Sequence, residues 1–217
     1  MKYPRRRTVI YPRRRAILGL LATSLLVRPR TSHAADFSEV SKPIVELNAG
    51  LIQAMKAGAN ATFVARFDSL APIIDHAFDL QGILRVSVGP AWAGMSEPER
   101  ADLLTVFRQF TIASYVANFN DFSGEQFEVL PDLRAVGTDE VVATRLIPAS
   151  GTPTRLDYVM RRMESGWRAV DVLLEGTISR VAVQRSDFRS LLAQGSASPL
   201  IASLRKKTQD LSAGSLS

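Results

Sequence analysis

The chain has 217 residues, no cysteine and a formal net charge of +6. Nine of its 27 Lys and Arg residues, and no Asp or Glu, fall within residues 1–34, leaving 18 basic against 21 acidic side chains in the remainder. A weakly acidic body lacks the electrostatic footprint of a nucleic-acid binder. Without cysteine there is no zinc–thiolate site, disulfide or thiol catalysis.

Residues 1–34 read as a leader. A basic start precedes the twelve-residue apolar run Ala16–Val27, too short to span a bilayer but suited to the apolar region of a signal peptide. Ser32-His33-Ala34 places small residues before a cut, with Ala35 an alternative end point. Arg14-Arg15-Ala16-Ile17-Leu18 resembles a twin-arginine export signal, and Arg28 and Arg30 after the apolar run lean the same way. A plain arginine-rich signal peptide is the blander reading. Either way the expectation is a cleavable signal peptide and a periplasmic body with no later transmembrane candidate. That body is one domain over residues 35–211, followed by a Gly/Ser-rich flexible tail at 212–217.

The body opens with a helical pattern over Asp36–Ala57, in which Ile44, Leu47, Leu51 and Met55 recur at three and four and Pro43 suits a first turn. Phe63, Phe67, Leu70 and Ile74 form the stripe of a second helix, with Pro72 predicting a kink or a break. Asp79–Val88 predicts a short helix ending at Gly89-Pro90. Ser96-Glu97-Pro98-Glu99 is a capping-box pattern opening the longest helix, Glu97–Asn120. Its two offset stripes, Leu103/Val106/Phe107/Phe110 and Ile112/Tyr115/Val116/Phe119, predict burial on more than one side.

After Ser123-Gly124 the hydrophobic period changes from about 3.6 to 2. Phe127–Leu130 and Val141–Pro148 predict strands, followed by a hairpin over Arg155–Gly176 that turns at Glu164-Ser165-Gly166. Its second arm carries Val170, Val172 and Leu174 on one parity and Trp167, Ala169 and Leu173 on the other, so neither face is plainly the wet one. Helices return over Ile178–Gln194 and Ser198–Leu211, the latter with Ser198-Pro199 as cap and first turn. The pattern predicts an α+β domain, a twisted antiparallel sheet of about four strands wrapped by helices.

Catalytic constellations are scarce. His76 and Asp79 share a helix face but make half a metal site at best, since such sites need three convergent ligands. There is no Gly-x-Ser-x-Gly elbow, no phosphate loop and no His-Glu-x-x-His. Glu97 and Glu99 suit a helix start. Asp157 and Asp171 read as structural partners of Arg161 or Arg168 across the ladder. The aromatics Trp92, Phe107, Tyr115, Phe119, Tyr158 and Trp167 fit equally a solid core and one parted around an apolar ligand.

Arg66-Phe67, Leu70-Ala71-Pro72, Val88-Gly89-Pro90-Ala91-Trp92, Met95–Arg100 and, most densely, Arg155-Leu156-Asp157-Tyr158, Gly166-Trp167, Val170-Asp171-Val172 and Glu175-Gly176 carry a resemblance. By order and spacing the chain resembles the MlaC, or toluene-tolerance, family of periplasmic phospholipid-binding proteins, which serve outer-membrane lipid asymmetry. The resemblance implies an apolar cavity between sheet and helices and a shuttle that carries a lipid as cargo, with no cofactor and no catalysis. Its partners would be an inner-membrane ABC or RND-type transporter and an outer-membrane lipid complex. The run Thr177–Phe188 departs from the usual pattern and looks more like the hopanoid-associated branch, implying a hopanoid-type lipid as alternative cargo. The expected wall is Trp92, Phe107, Tyr115, Phe119, Tyr158, Met160, Val170, Val172 and Leu174. The rivals are an envelope hydrolase, for which His76 is the one base of the usual type after the leader, and an envelope adaptor with a solid core.

Overall fold

The change of hydrophobic period after Gly124 is also the seam of the architecture. A computed structural model describes residues 36–193 and 195–216, so the expected signal peptide lies outside the described residues. Five helices precede the sheet: α1 (Phe37–Ala57), α2 (Phe63–Ala77), α3 (Leu80–Val88), α4 (Ala91–Gly94) and α5 (Glu97–Asn118). The strands β1 (Gln126–Val136), β2 (Asp139–Ile147), β3 (Thr154–Met163), β4 (Gly166–Leu174) and β5 (Ile178–Ser179) follow, then α6 (Arg180–Leu192) and α7 (Ser198–Leu211). The strands pair antiparallel in the order β1-β2-β3-β4-β5, the two-residue β5 being one more than expected.

The helix ends follow their capping chemistry. The Asp36 carboxylate accepts from the Ser38 N–H, and Thr62 and Asp79 cap α2 and α3 in the same way. The capping box at Ser96 and Glu99 is closed in both directions. At α7 the N-cap position falls to Ala197 rather than Ser198, and Pro199 lies in the first turn. Pro43 stands two turns into α1, not in its first turn, and α2 runs unbroken through Pro72. An interior proline costs about 3 kcal/mol. Burial of Leu70 and Ile74, both 0% exposed, offsets it, since a fully buried aliphatic side chain contributes about 1.5–3 kcal/mol. β1 continues past Leu130 through Pro131, and its register to β2 shifts between Val129 and Leu133. A proline is tolerated there because β1 is an edge strand. Beyond α7, Leu216 packs against the core with its N–H on the Ser212 hydroxyl.

A single bulge explains the two apolar parities of β4. Val159 pairs with Asp171 but Met160 pairs with Ala169, so Val170 is the extra residue. A bulge exchanges the faces on either side of it. The face packed on the helices therefore takes Trp167 and Ala169 before the bulge and Val172 after it, with Leu174 on the same side by register, opposite Met160, Tyr158 and Leu156. Val172 and Leu174 share the inner face as the sequence predicts, whereas Val170 belongs to the bulge. The second apolar face needs no partner of its own.

The two hairpin aspartates are structural, with partners other than those expected. Asp157, 0% exposed, receives a bidentate bond from Arg155 of its own strand at 2.8 and 2.9 Å. Asp171 accepts from the Ser179 hydroxyl and the Val181 N–H, placing a carboxylate at the start of α6 where the helix dipole favours it. Arg161 instead grips Asp139. Past β4 the turn doubles back over Asp157 with Glu175 and Gly176 at φ 52° and 70°. A Cβ on Gly176 would lie 3.1 Å from Arg155 Nε and 3.3 Å from Asp157 Oδ2. Gly176→Ala is expected to destabilise the domain by about 1–2 kcal/mol, the cost of a left-handed non-glycine residue. A shift in the urea midpoint with unchanged slope checks it.

Candidate functional site

The sheet meets the helices along a run of aromatic rings. Tyr158 of β3 faces Phe78, centroids 6.3 Å apart, and Phe78 faces Tyr115 of α5 at 5.8 Å. Tyr115 stacks on Phe119 at 5.9 Å and 15°, and Phe119 reaches Phe127 of β1 at 5.9 Å. These separations fall in the favourable range for aromatic pairs. The seam thus runs from the middle of the sheet to its β1 edge. Three of the nine expected wall residues, Tyr115, Phe119 and Tyr158, lie in it. Met160, Val172 and Leu174 extend it on the inner face of β3 and β4.

The other three lie elsewhere. Phe107 is buried edge-on against Phe188 of α6, 6.4 Å away, within the helical layer. Trp92 sits in α4 under the Arg100 guanidinium, which also donates to the Trp92 and Ala93 carbonyls. Val170 occupies the bulge.

Phe78, the hub of the seam, is the residue that sequence reasoning missed. A signal for it exists: an apolar residue directly before the Asp79 N-cap, with Ile83 in the staple position beyond. The corner it occupies is bolted to β4. The Asp79 N–H donates to the Ala169 carbonyl at 3.0 Å, and Arg168 donates to the Asp75 carbonyl at 2.7 Å. Arg108 of α5 holds the Asp75 carboxylate through two bonds of 2.8 and 2.6 Å.

The polar groups carried by the rings of the seam are two phenols. Burial pushes the Tyr115 phenol well above its ordinary value, the nearby Tyr158 adds to the rise and Arg180 opposes it. Tyr158, 2% exposed, is likewise raised by burial. Neither is a base at neutral pH. His76 stands on the helix surface with Nε2 3.5 Å from Glu46, its side chain 54% exposed. Among the described residues no three His, Asp or Glu side chains converge as a metal site, and no helix is long and apolar enough to cross a membrane. Between α1 and β1 lies an apolar groove of about 330 Å³ lined by Val45, Asn48, Ala49, Ile52, Gln53, Phe127 and Val129. None of the nine expected residues lines it.

An antiparallel sheet bearing helices on an aromatic inner face defines an α+β domain whose chemistry is apolar contact. The family model of the MlaC protein matches residues 46–206, and the chain belongs to that family. Its fold is similar to that of the phospholipid-binding protein from Ralstonia solanacearum, solved in complex with a phospholipid. The TM-score is 0.68 at 17% identity, over 81% of this chain and 98% of that one. No curated protein matches the sequence.

Tyr115 and Tyr158 are the tyrosines of residues 35–217, Tyr3 and Tyr11 preceding them. A phenol whose pKa is higher folded than unfolded contributes stability that is whole below the ordinary value of about 10 and is lost as pH rises through the folded value. In a chain starting at Ala35, phenolate absorbance is therefore expected to appear only with cooperative alkaline unfolding. A phenolate signal developing near pH 10 in the folded protein contradicts this burial.

Proposed function

We propose that this protein is a periplasmic lipid-transfer protein, exported on residues 1–34 as a cleavable signal peptide. It holds one phospholipid, or a hopanoid-type lipid, with the tails between the inner face of β3–β4 and the helices and the headgroup near solvent. The observation that carries this reading is the seam Tyr158–Phe78–Tyr115–Phe119–Phe127, an unbroken apolar wall along the sheet–helix interface. Family membership and the phospholipid in the Ralstonia solanacearum protein support the same reading.

A lipid's tails gain about 0.8 kcal/mol per buried methylene before ordering costs, enough for stable carriage through water. Loading requires the helices to move off the sheet, with Tyr115, Phe119, Tyr158, Met160, Val172 and Leu174 as the wall and Phe107 and Trp92 behind it. Release follows when docking to a membrane complex widens the same space. The partners are an inner-membrane transporter, of ABC or RND type, and an outer-membrane lipid complex. The Thr177–Phe188 run favours the hopanoid-associated arrangement. A nucleic acid has no place in the scheme, given the weakly acidic body.

An enzymatic role would need a nucleophile and a base in reach of each other. The exposed His76, facing Glu46, supplies no such pair. Organic extraction of protein purified from the periplasm is expected to yield about one lipid per chain by mass spectrometry, and Val172→Trp to lower that occupancy severalfold. An empty wild-type protein contradicts the carrier. Lipid hydrolysis that disappears on His76→Ala would replace it with a hydrolase.

A further inference from the structure

The groove between α1 and β1 contains the least satisfied polar side chain near the seam. Asn48 is 6% exposed, and neither its Oδ1 nor its Nδ2 has a hydrogen-bond partner among the described residues. Buried carboxamides are nearly always partnered, because desolvation without a bond is uncompensated. Asn48 lines the groove, but its amide atoms are closed off from it, so a molecule seated there reaches them once α1 and β1 part. Phe127 is shared: it is both a wall of the groove and the last ring of the seam. The groove is therefore continuous with the sheet–helix interface at the β1 edge, the edge opposite the bolted corner.

The lining also specifies the chemistry of the occupant. Val45, Ala49, Ile52, Phe127 and Val129 demand an apolar body, and no Lys or Arg lines the groove to hold a phosphate. What remains is a neutral hydrogen-bonding group at the depth of Asn48. The Nδ2 amide offers two donors, and the two ester carbonyls where acyl chains join glycerol are two acceptors in close succession.

We propose that this groove is the mouth of the lipid site and that Asn48 binds the ester carbonyls of a diacyl phospholipid. The tails run inwards along the aromatic seam, and the charged headgroup stays outside. This rests on the carrier reading above and adds to it an opening, an orientation and a preference for ester-linked lipid.

The test uses protein purified from the periplasm, stripped of lipid and offered vesicles of a diester phosphatidylglycerol or its diether analogue with the same chains. Wild type is expected to favour the ester by about thirtyfold, the size of two net hydrogen bonds. Asn48→Leu is expected to bind the ester no better than the ether. Equal binding of both by wild type, or a preference that survives in Asn48→Leu, overturns the assignment and leaves the carrier standing. Failure of wild type to take either lipid overturns this inference and the phospholipid as cargo, and leaves the carrier reading to the extraction experiment above. Should Asn48→Leu not fold, Ala49→Trp at an exposed groove position decides: uptake slowed about tenfold supports the mouth, and unchanged uptake overturns it.

Discussion

The helical layer hangs on the sheet at one corner. Between α2 and α3 the chain reverses at Phe78–Asp79, and there the Asp79 N–H bonds the Ala169 carbonyl and Arg168 bonds the Asp75 carbonyl. The corner covers a stretch of β4 that β5 leaves unpaired, since β5 pairs only with Leu173 and Leu174. An uncovered strand edge is a site for unwanted pairing, so the corner protects the sheet as well as anchoring the helices. Arg108 carries the anchor onward to α5 through Asp75. At the other edge, β1 carries a proline-containing irregularity between Val129 and Leu133 and faces α1 across a groove. One edge is held by backbone and guanidinium bonds, and at the other α1 meets β1 beside the groove. Separation of the layers about the bolted edge is the motion such an arrangement permits at least cost, because it spares the buried backbone and guanidinium bonds.

The aromatic seam runs between those two edges. Rings stacked without polar partners can exchange contact with one another for contact with acyl chains at little penalty, because both are apolar and neither desolvates a charge. The two phenols are the exception, and both are held neutral by burial. The hairpin aspartates take no part in this surface. Asp157 is closed off by Arg155 and the Glu175–Gly176 turn, and Asp171 is spent on the start of α6.

Much of the architecture is legible in the sequence because it is local. Capping at Asp36, Ser96 and Asp79, the glycine stops and the change of period at Gly124 depend on neighbours a few residues apart. The hairpin is legible, but its inner face is not. A bulge is invisible to strict alternation, so β4 reads as apolar on both sides when one residue, Val170, has exchanged them. Pro72 misleads for the opposite reason: local propensity argues for a break, and tertiary burial of Leu70 and Ile74 overrides it. Of the expected wall, the residues on the sheet other than Val170 come together with those at the end of α5. Phe107 and Trp92 do not, because periodicity identifies a buried aromatic without saying which layer buries it. Phe78 and Asn48 escape for a related reason: their significance lies in partners more than thirty residues away, or in having none.

The central claim is that lipid lies between the inner face of the sheet and the helices. Cross-linking with a phospholipid bearing a photoreactive diazirine midway along one acyl chain tests it directly, with adducts located by peptide mass spectrometry. The account predicts adducts on Tyr115, Phe119, Tyr158, Met160 and Val172. Adducts confined to the solvent-facing sides of the helices or the outer face of the sheet would contradict it.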